Sequence, residues 1–521
     1  MRRLGRTAAR TRGFRVSCLT RRGSAVSPRF QRPERTLKTS TIRSVGRWAG
    51  PLTAAIVLAV PPPAGLDPMA ARTGAVALWM AIWWMTEAVA IPVTSLIPLA
   101  AFPLLGILSA ADASAPYAQE LIFLFMGGFF LAAAMEASGL HRRIALSILS
   151  AVGSSPERLV LGFMLATAAL SMWISNTATT AMMFPIGLAV AELFRGDAEK
   201  VGFRFGVTLM LGIGYAASIG GVATLIGTPP NAVLAAAASD LIDVEIGFAQ
   251  WMMVGLPTTM VMLPLGWLLL VRVLHPPGDL EGDAAAVIDG ERRSLGRIRP
   301  AELRVAVVFG LTALAWLLRA PKTIGAFTIP GLSTFAPQIR DSSIAMTAAL
   351  VLFLLPAGDG SGDRLLEWSK ARRIPWGVLV LFGGGLSLAR AMDQSGLSAW
   401  VGSGVAQLGA LPLPLLLLAV AVLFVVLTEI TSNAATATMA MPLLVGAAAA
   451  MGTAALPLMV TAALAASMAF MLPVATPPNA IVFGADYLEI RHMVKAGVWM
   501  NLLAVVVVTV MAVVLLPIAF G

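Results

Sequence analysis

Apolar runs too long and too numerous for a water-soluble core occupy the chain from residue 50 to its end. They fall near 50–64, 70–89, 91–109, 119–140, 205–238, 250–274, 302–318, 342–356, 375–395, 453–486 and 493–519. A bilayer core about 30 Å thick takes about 20 apolar residues per helical crossing. The expected fold class is therefore an all-α polytopic membrane protein with about 11 transmembrane helices, plus two odd segments taken up below. A transmembrane barrel would show segments of about 10 alternating residues, and none occurs. Only 12% of the residues are charged, against roughly 25% in soluble domains. The 48 Gly and 33 Pro exceed the needs of straight rods. Helices that break inside a bilayer are tolerated only where protein or a wet cavity satisfies the freed backbone, and such helices point to transport.

The formal charge of +10 suggests a polyanionic partner until its distribution is read. Residues 1–48 carry thirteen arginines and Lys38 against Glu34 alone, which leaves the rest of the chain slightly acidic. No apolar stretch of 7 to 15 residues follows the first arginines, so a secretory signal is not expected. The tail reads as a disordered cytoplasmic extension rather than a nucleic-acid arm, with an organellar transit peptide as the lesser alternative. Of the other basic residues, eighteen fall on the side of the N-terminus. Only Arg72, Arg319, Lys322, Arg340 and Arg390 fall elsewhere. This obeys the positive-inside rule and predicts an integral, multi-pass protein of a bacterial inner membrane with its N-terminus in the cytoplasm. The linker 276–300 divides the body into halves, 49–275 and 301–521.

The halves repeat. A shift of 257 residues lays Ser138-Gly139-Leu140 on Ser395-Gly396-Leu397, Ser175-Asn176 on Ser432-Asn433, and Pro185 on Pro442. A shift of 248 lays Thr228-Pro229-Pro230-Asn231 on Thr476-Pro477-Pro478-Asn479. An odd number of crossings separates the matched landmarks, so the copies are expected in opposite orientations. Inverted repeats with a site at their interface are a common build of secondary transporters.

The odd segments belong to this repeat. Leu159 to Ser171 would reach only about 20 Å as a helix, so 157–195 is expected to form an inward-opening re-entrant hairpin with Ser175-Asn176-Thr177 at its tip. The stretch 411–448 reads as the mirror hairpin, outward-opening. Proline removes an amide donor and disfavours helix in the residue before it, so broken helices are expected at 227–231 and 475–479. Helix N-termini at the tips attract anions, and freed carbonyls with Ser and Asn oxygens suit a hard cation.

Two Ser-Asn tips and two Thr-Pro-Pro-Asn breaks, in this order, resemble the divalent anion/sodium symporter family over residues 50–521. The resemblance implies an elevator-type homodimer that imports a C4-dicarboxylate such as succinate, malate or fumarate with sodium as coupling ion and no other cofactor. It implies a first sodium site at Ser171, Ser175, Asn176 and the Gly227 carbonyl. A second would use Thr428, Thr431, Ser432, Asn433 and the Ala475 carbonyl. The substrate would meet Ser175, Asn176, Thr177, Thr228, Ser432, Asn433 and Thr476. Ala434 stands where many family members carry Thr. Citrate or sulfate transport, or sodium-independent dicarboxylate exchange, is the alternative. Partners are expected to be the anion, sodium, lipid and a second copy of the chain.

No Arg or Lys is expected in the cavity, so helix termini and sodium would offset the anion's charge. Glu87, Glu136, Asp393 and Glu429 lie in or beside apolar runs; of these Glu429, next to Thr428, is expected to tune or brace the second site rather than bind an ion. An enzyme is not expected, because no His or Lys stands near the Ser motifs to serve as a base. A channel would need one continuous pore, which two opposed hairpins do not make.

Overall fold

The computed structural model describes residues 36–153, 155–194, 203–277, 284–324, 327–358, 360, 362–406 and 411–520. Residues 1–35 of the basic tail and 278–283 of the linker lie outside the described residues. Thr36–Ala59 is one 24-residue helix, so residues 36–48 extend the first crossing and correct the expectation of disorder over that part of the tail. Small residues allow it: a Cβ on Gly46 would stand within 2.6 Å of the Thr86 Cβ, so only glycine lets this helix close on Pro68–Thr86. Arg43 adds an ion pair to Glu87 at 2.8 Å.

Among the described residues, five helices are long and apolar enough to cross a membrane unaided: Ala110–Ser138, Phe248–Leu274, Pro300–Leu318, Asn433–Met451 and Ile490–Phe520. The remaining apolar runs are shorter, less apolar or interrupted. The run 91–109, read as one crossing, is cut into Ile91–Thr94 and Ile97–Leu104, each with a proline at its start.

The chain turns back twice at the Ser-Asn pairs. Pro156–Ser171 is followed by Asn176–Leu193, and Leu413–Thr428 by Asn433–Met451. Two other helices stop at the Thr-Pro-Pro-Asn motifs. Arg204–Gly221 gives way to Pro229–Ile242, and Ala455–Ala466 to Pro477–Val482. Every residue from Phe205 to Gly221 is buried, so this broken helix runs through the centre of the core.

Matched landmarks also mark sharp turns. Gly139 and Gly396 both adopt positive φ, at 82° and 76°, and each ends a long helix before a shorter one, Leu140–Val152 or Leu397–Ala406. The first of these short helices was not read from the sequence. It carries Arg143, whose Nε lies 2.7 Å from Glu302 Oε2 and whose Nη atoms donate to the carbonyls of Leu295, Gly296 and Arg297. Glu302 is 3% exposed. At the opposite end, Glu245 in the loop before Phe248–Leu268 pairs with Arg319 and Arg340, and Arg319 pairs with Asp341 at 2.6 Å. A two-stranded antiparallel hairpin, Lys322–Ile324 with Phe327–Ile329, closes that end.

Removing one partner of a buried pair leaves an uncompensated charge and costs about 3–5 kcal/mol. Arg143→Ala is therefore expected to lower the thermal midpoint of detergent-purified protein by several degrees. Arg143→Ala/Glu302→Gln should recover much of the loss, and an unchanged midpoint in the single variant would show that the pair contributes nothing.

Candidate functional site

Ser175 and Ser432 sit at the N-caps of the two returning hairpin arms, because each tip leaves backbone amides without helical partners. Ser175 Oγ accepts from Ala178 N at 3.2 Å, whereas Ser432 makes no such cap bond. Thr228 and Thr476 occupy the same position on the helices that restart at the proline pairs. Thr476 Oγ1 accepts from Asn479 N at 3.3 Å.

The unwound stretches stay in the core because each Thr-Pro-Pro-Asn asparagine takes up their carbonyls. Asn231 Nδ2 donates to Thr224 O at 2.8 Å, Gly221 O at 3.2 Å and Val222 O at 3.3 Å. Asn479 Nδ2 donates to Ala469 and Leu472 carbonyls, each at 3.1 Å. The second break has an additional brace in Glu429, 4% exposed. Its carboxylate accepts from the amides of Phe470, Met471 and Leu472 at 2.6, 2.9 and 3.1 Å, and from Asn501 Nδ2 at 2.8 Å. Three backbone amides and the Asn501 amide take up its oxygens, so it holds the unwound segment in shape.

Behind each tip, oxygens gather. Ser171 Oγ donates to the Ala217 carbonyl at 2.8 Å. One terminal atom of the Asn176 amide lies 2.7 Å from Ser171 Oγ and 3.2 Å from each of the Ala217 and Gly227 carbonyls. With nitrogen there, Asn176 bonds all three. With oxygen there, four oxygens converge with a single hydroxyl proton among them, and a cation relieves their repulsion. A hard cation with ligands at about 2.4 Å spaces neighbouring oxygens about 3.4 Å apart in an octahedral shell. The spacing at Asn176 is close to that.

The mirror cluster uses Thr428 Oγ1, which lies 2.7 Å from both Asn433 Oδ1 and the Ala466 carbonyl. Thr431, expected among these ligands, does not join it. Its hydroxyl donates to Leu427 O at 2.7 Å and touches Thr436 Oγ1, because in the turn just past the helix end at Thr428 a hydroxyl still finds the carbonyl four residues back. The carbonyls of Ala217 and Ala466 were missed by sequence reasoning, since a carbonyl carries no residue signature. The Gly220-Gly221 pair was the available signal: a Cβ on Gly221 would meet the Asn176 amide at 2.6 Å.

One cavity of about 1180 Å³ collects the tips. Ser175, Asn176, Thr177, Thr228, Ser432, Asn433 and Thr476 all line it, together with Gly227, Ala434 and Ala475. Four helix N-termini border it, three of them heading helices of 14 to 19 residues. The partial positive charge of a helix start favours an anion. Ser171 and Thr428, both 0% exposed, stand behind this wall. The expectation of a cavity free of basic side chains is corrected: Lys370 and Arg373 line it, as do Glu87 and Glu136. They enter from the turn before Trp376–Gln394 and from the ends of other helices, positions brought to the cavity by tertiary packing.

Two hairpin tips and two broken helices meeting on one cavity in a helical membrane body fit a secondary carrier. The chain belongs to the sodium:sulfate symporter family, whose transmembrane region matches residues 46–518. This is the divalent anion/sodium symporter assignment that the paired tips suggested. The chain is 41% identical over 486 residues to the sodium-dependent dicarboxylate transporter SdcS of Staphylococcus saprophyticus, covering 92% of both chains. It is 38% identical over 500 residues to SdcS of Staphylococcus aureus strain MRSA252, covering 94% of this chain and 95% of the relative. The solved YdaH transporter of Alcanivorax borkumensis, described as having an unusual topology, shares the fold with a TM-score of 0.53. Identity there is 15%, over 94% of this chain and 99% of that one.

Gly221→Ala tests the first oxygen cluster. The added methyl displaces the Asn176 amide, so the sodium concentration that raises the melting midpoint is expected to increase at least tenfold, with choline as control. An unchanged sodium dependence would remove Asn176 from the cation site.

Proposed function

We propose that this protein is a sodium-coupled symporter that imports a C4-dicarboxylate such as succinate, malate or fumarate. The observation that carries the reading is the meeting of both Ser-Asn tips and both Thr-Pro-Pro-Asn breaks on one cavity, with an oxygen cluster behind each tip. Relatives named for sodium-dependent dicarboxylate transport support it.

One sodium is held by Ser171, Asn176 and the Ala217 and Gly227 carbonyls, with Ser175 at its edge. A second is held by Thr428, Asn433 and the Ala466 carbonyl, with Ser432 and the Ala475 carbonyl completing the shell. The carboxylates bind Ser175, Asn176, Thr177, Thr228, Ser432, Asn433 and Thr476 from the cavity side. Asn176 and Asn433 belong to both sets, so ion and anion share a residue and a field. A dianion placed at the tips without cations would have hydroxyls, amides and helix starts as its nearest partners, at a cost of several kcal/mol. Adjacent sodium ions remove that cost, which is the basis of coupling.

Lys370 and Arg373 fall on the cytoplasmic side by the distribution of basic residues, so the cavity faces inward and the N-terminus is cytoplasmic, in a bacterial inner membrane. Access alternates as the hairpins and broken helices move as one body past Glu120–Ser138, Pro300–Leu318, Asp341–Leu354 and Trp376–Gln394. The assembly is a homodimer embedded in lipid.

In proteoliposomes, an imposed sodium gradient is expected to drive labelled succinate uptake, and Asn176→Ala or Asn433→Ala to abolish it while membrane insertion persists. Uptake that proceeds without sodium but requires internal dicarboxylate would establish exchange instead. Ala434 lines the cavity, and Ala434→Thr supplies a hydroxyl worth about 0.5–1.5 kcal/mol. It is expected to lower the succinate half-saturation two- to tenfold. An unchanged value would place this methyl out of reach of the substrate.

A further inference from the structure

The inverted repeat gives the two ends of the carrier equivalent elements but not equivalent charge. Lys370 lies in the short helix Trp368–Ala371 and Arg373 in the turn that leads on to Trp376–Gln394, and both side chains are exposed and line the cavity. At the shift of 257 residues their counterparts are Ala113 and Pro116, which carry no charge. Among the described residues neither basic side chain has an ion-pair partner, and of the acids on the same wall Glu87 is already paired with Arg43. The deep end of the cavity holds hydroxyls, amides and helix starts. Its mouth therefore holds two uncommitted cations with one uncommitted carboxylate, Glu136, facing the same space.

We propose that Lys370 and Arg373 form a second anion-binding station at the mouth of the cavity, which takes a dicarboxylate before or after it occupies the tips and does so at one membrane face only. The ligand class is a small dianion whose two carboxylates can be shared between the basic pair and water. This rests on the inward-facing reading above, which makes the favoured face the cytoplasmic one. A dianion arriving from the cytoplasm is concentrated at the mouth, so the carrier saturates from that face at lower concentration than the tips alone would allow. Retention there opposes net release. Through-water attraction of this kind is screened as the Debye length falls from about 10 Å at 0.1 M to about 3 Å at 1 M salt.

The test compares succinate half-saturation in right-side-out and inside-out membrane vesicles. For Lys370→Gln/Arg373→Gln, the value measured from the cytoplasmic face is expected to rise about fivefold, with the value from the outer face unchanged. Lys370→Arg/Arg373→Lys should match the unmodified protein, and choline chloride at 0.5 M should erase the difference. An unchanged half-saturation at both faces, with uptake intact, overturns the station. A rise at the outer face alone keeps the station and overturns the inward-facing reading. Should the double variant fail to insert, choline chloride titrated against the unmodified protein decides. Half-saturation must then rise more steeply at one face, and equal salt dependence at both faces refutes the proposal.

Discussion

A peptide group freed inside a membrane has no water to bond to, and the protein must supply every partner itself. This constraint governs the centre of the molecule. Two helices unwind at proline pairs because proline removes a donor and disfavours helix before it. Unwinding strands a set of carbonyls and amides in the core. Asn231 and Asn479 gather the carbonyls, and Glu429 gathers three amides of the second break. Near each break a helical carbonyl is reached from the facing hairpin: Ala217 accepts from Ser171 and Ala466 from Thr428.

The two halves solve the same problem with different means. The first break packs closely, with Gly221 against the Asn176 amide and Gly227 against the Gly221 carbonyl. The second has Ala469 and Ala475 at the equivalent positions and braces its segment with a buried carboxylate, where the first half has Met172. The Glu429 side chain next to Thr428 has no counterpart at the first cluster. The repeat thus provides two hairpin tips and two breaks, while the departures from it distinguish the two oxygen clusters.

Much of this was legible before any coordinates. Duplicated Ser-Asn and Thr-Pro-Pro-Asn motifs marked the tips and breaks, because capping and proline sterics act within a few residues of the chain. Less legible were features that depend on where distant segments end up. The short helix Leu140–Val152 and its Arg143–Glu302 pair join residues more than 150 positions apart. Thr431 looked like a ligand from its place in the motif, yet its hydroxyl is taken by the Leu427 carbonyl. The Ala217 and Ala466 carbonyls have no side-chain signature at all.

Sequence alone determined the class, the duplicated motifs and the places where the helices stop. Hydropathy, caps and proline act locally, and duplication makes local signals reinforce one another. Tertiary structure alone decided which oxygens meet behind each tip, that Glu429 is spent on backbone amides, and that Lys370 and Arg373 stand at the mouth of the same cavity. Those outcomes depend on distances between segments far apart in the chain, which packing sets and no local pattern encodes.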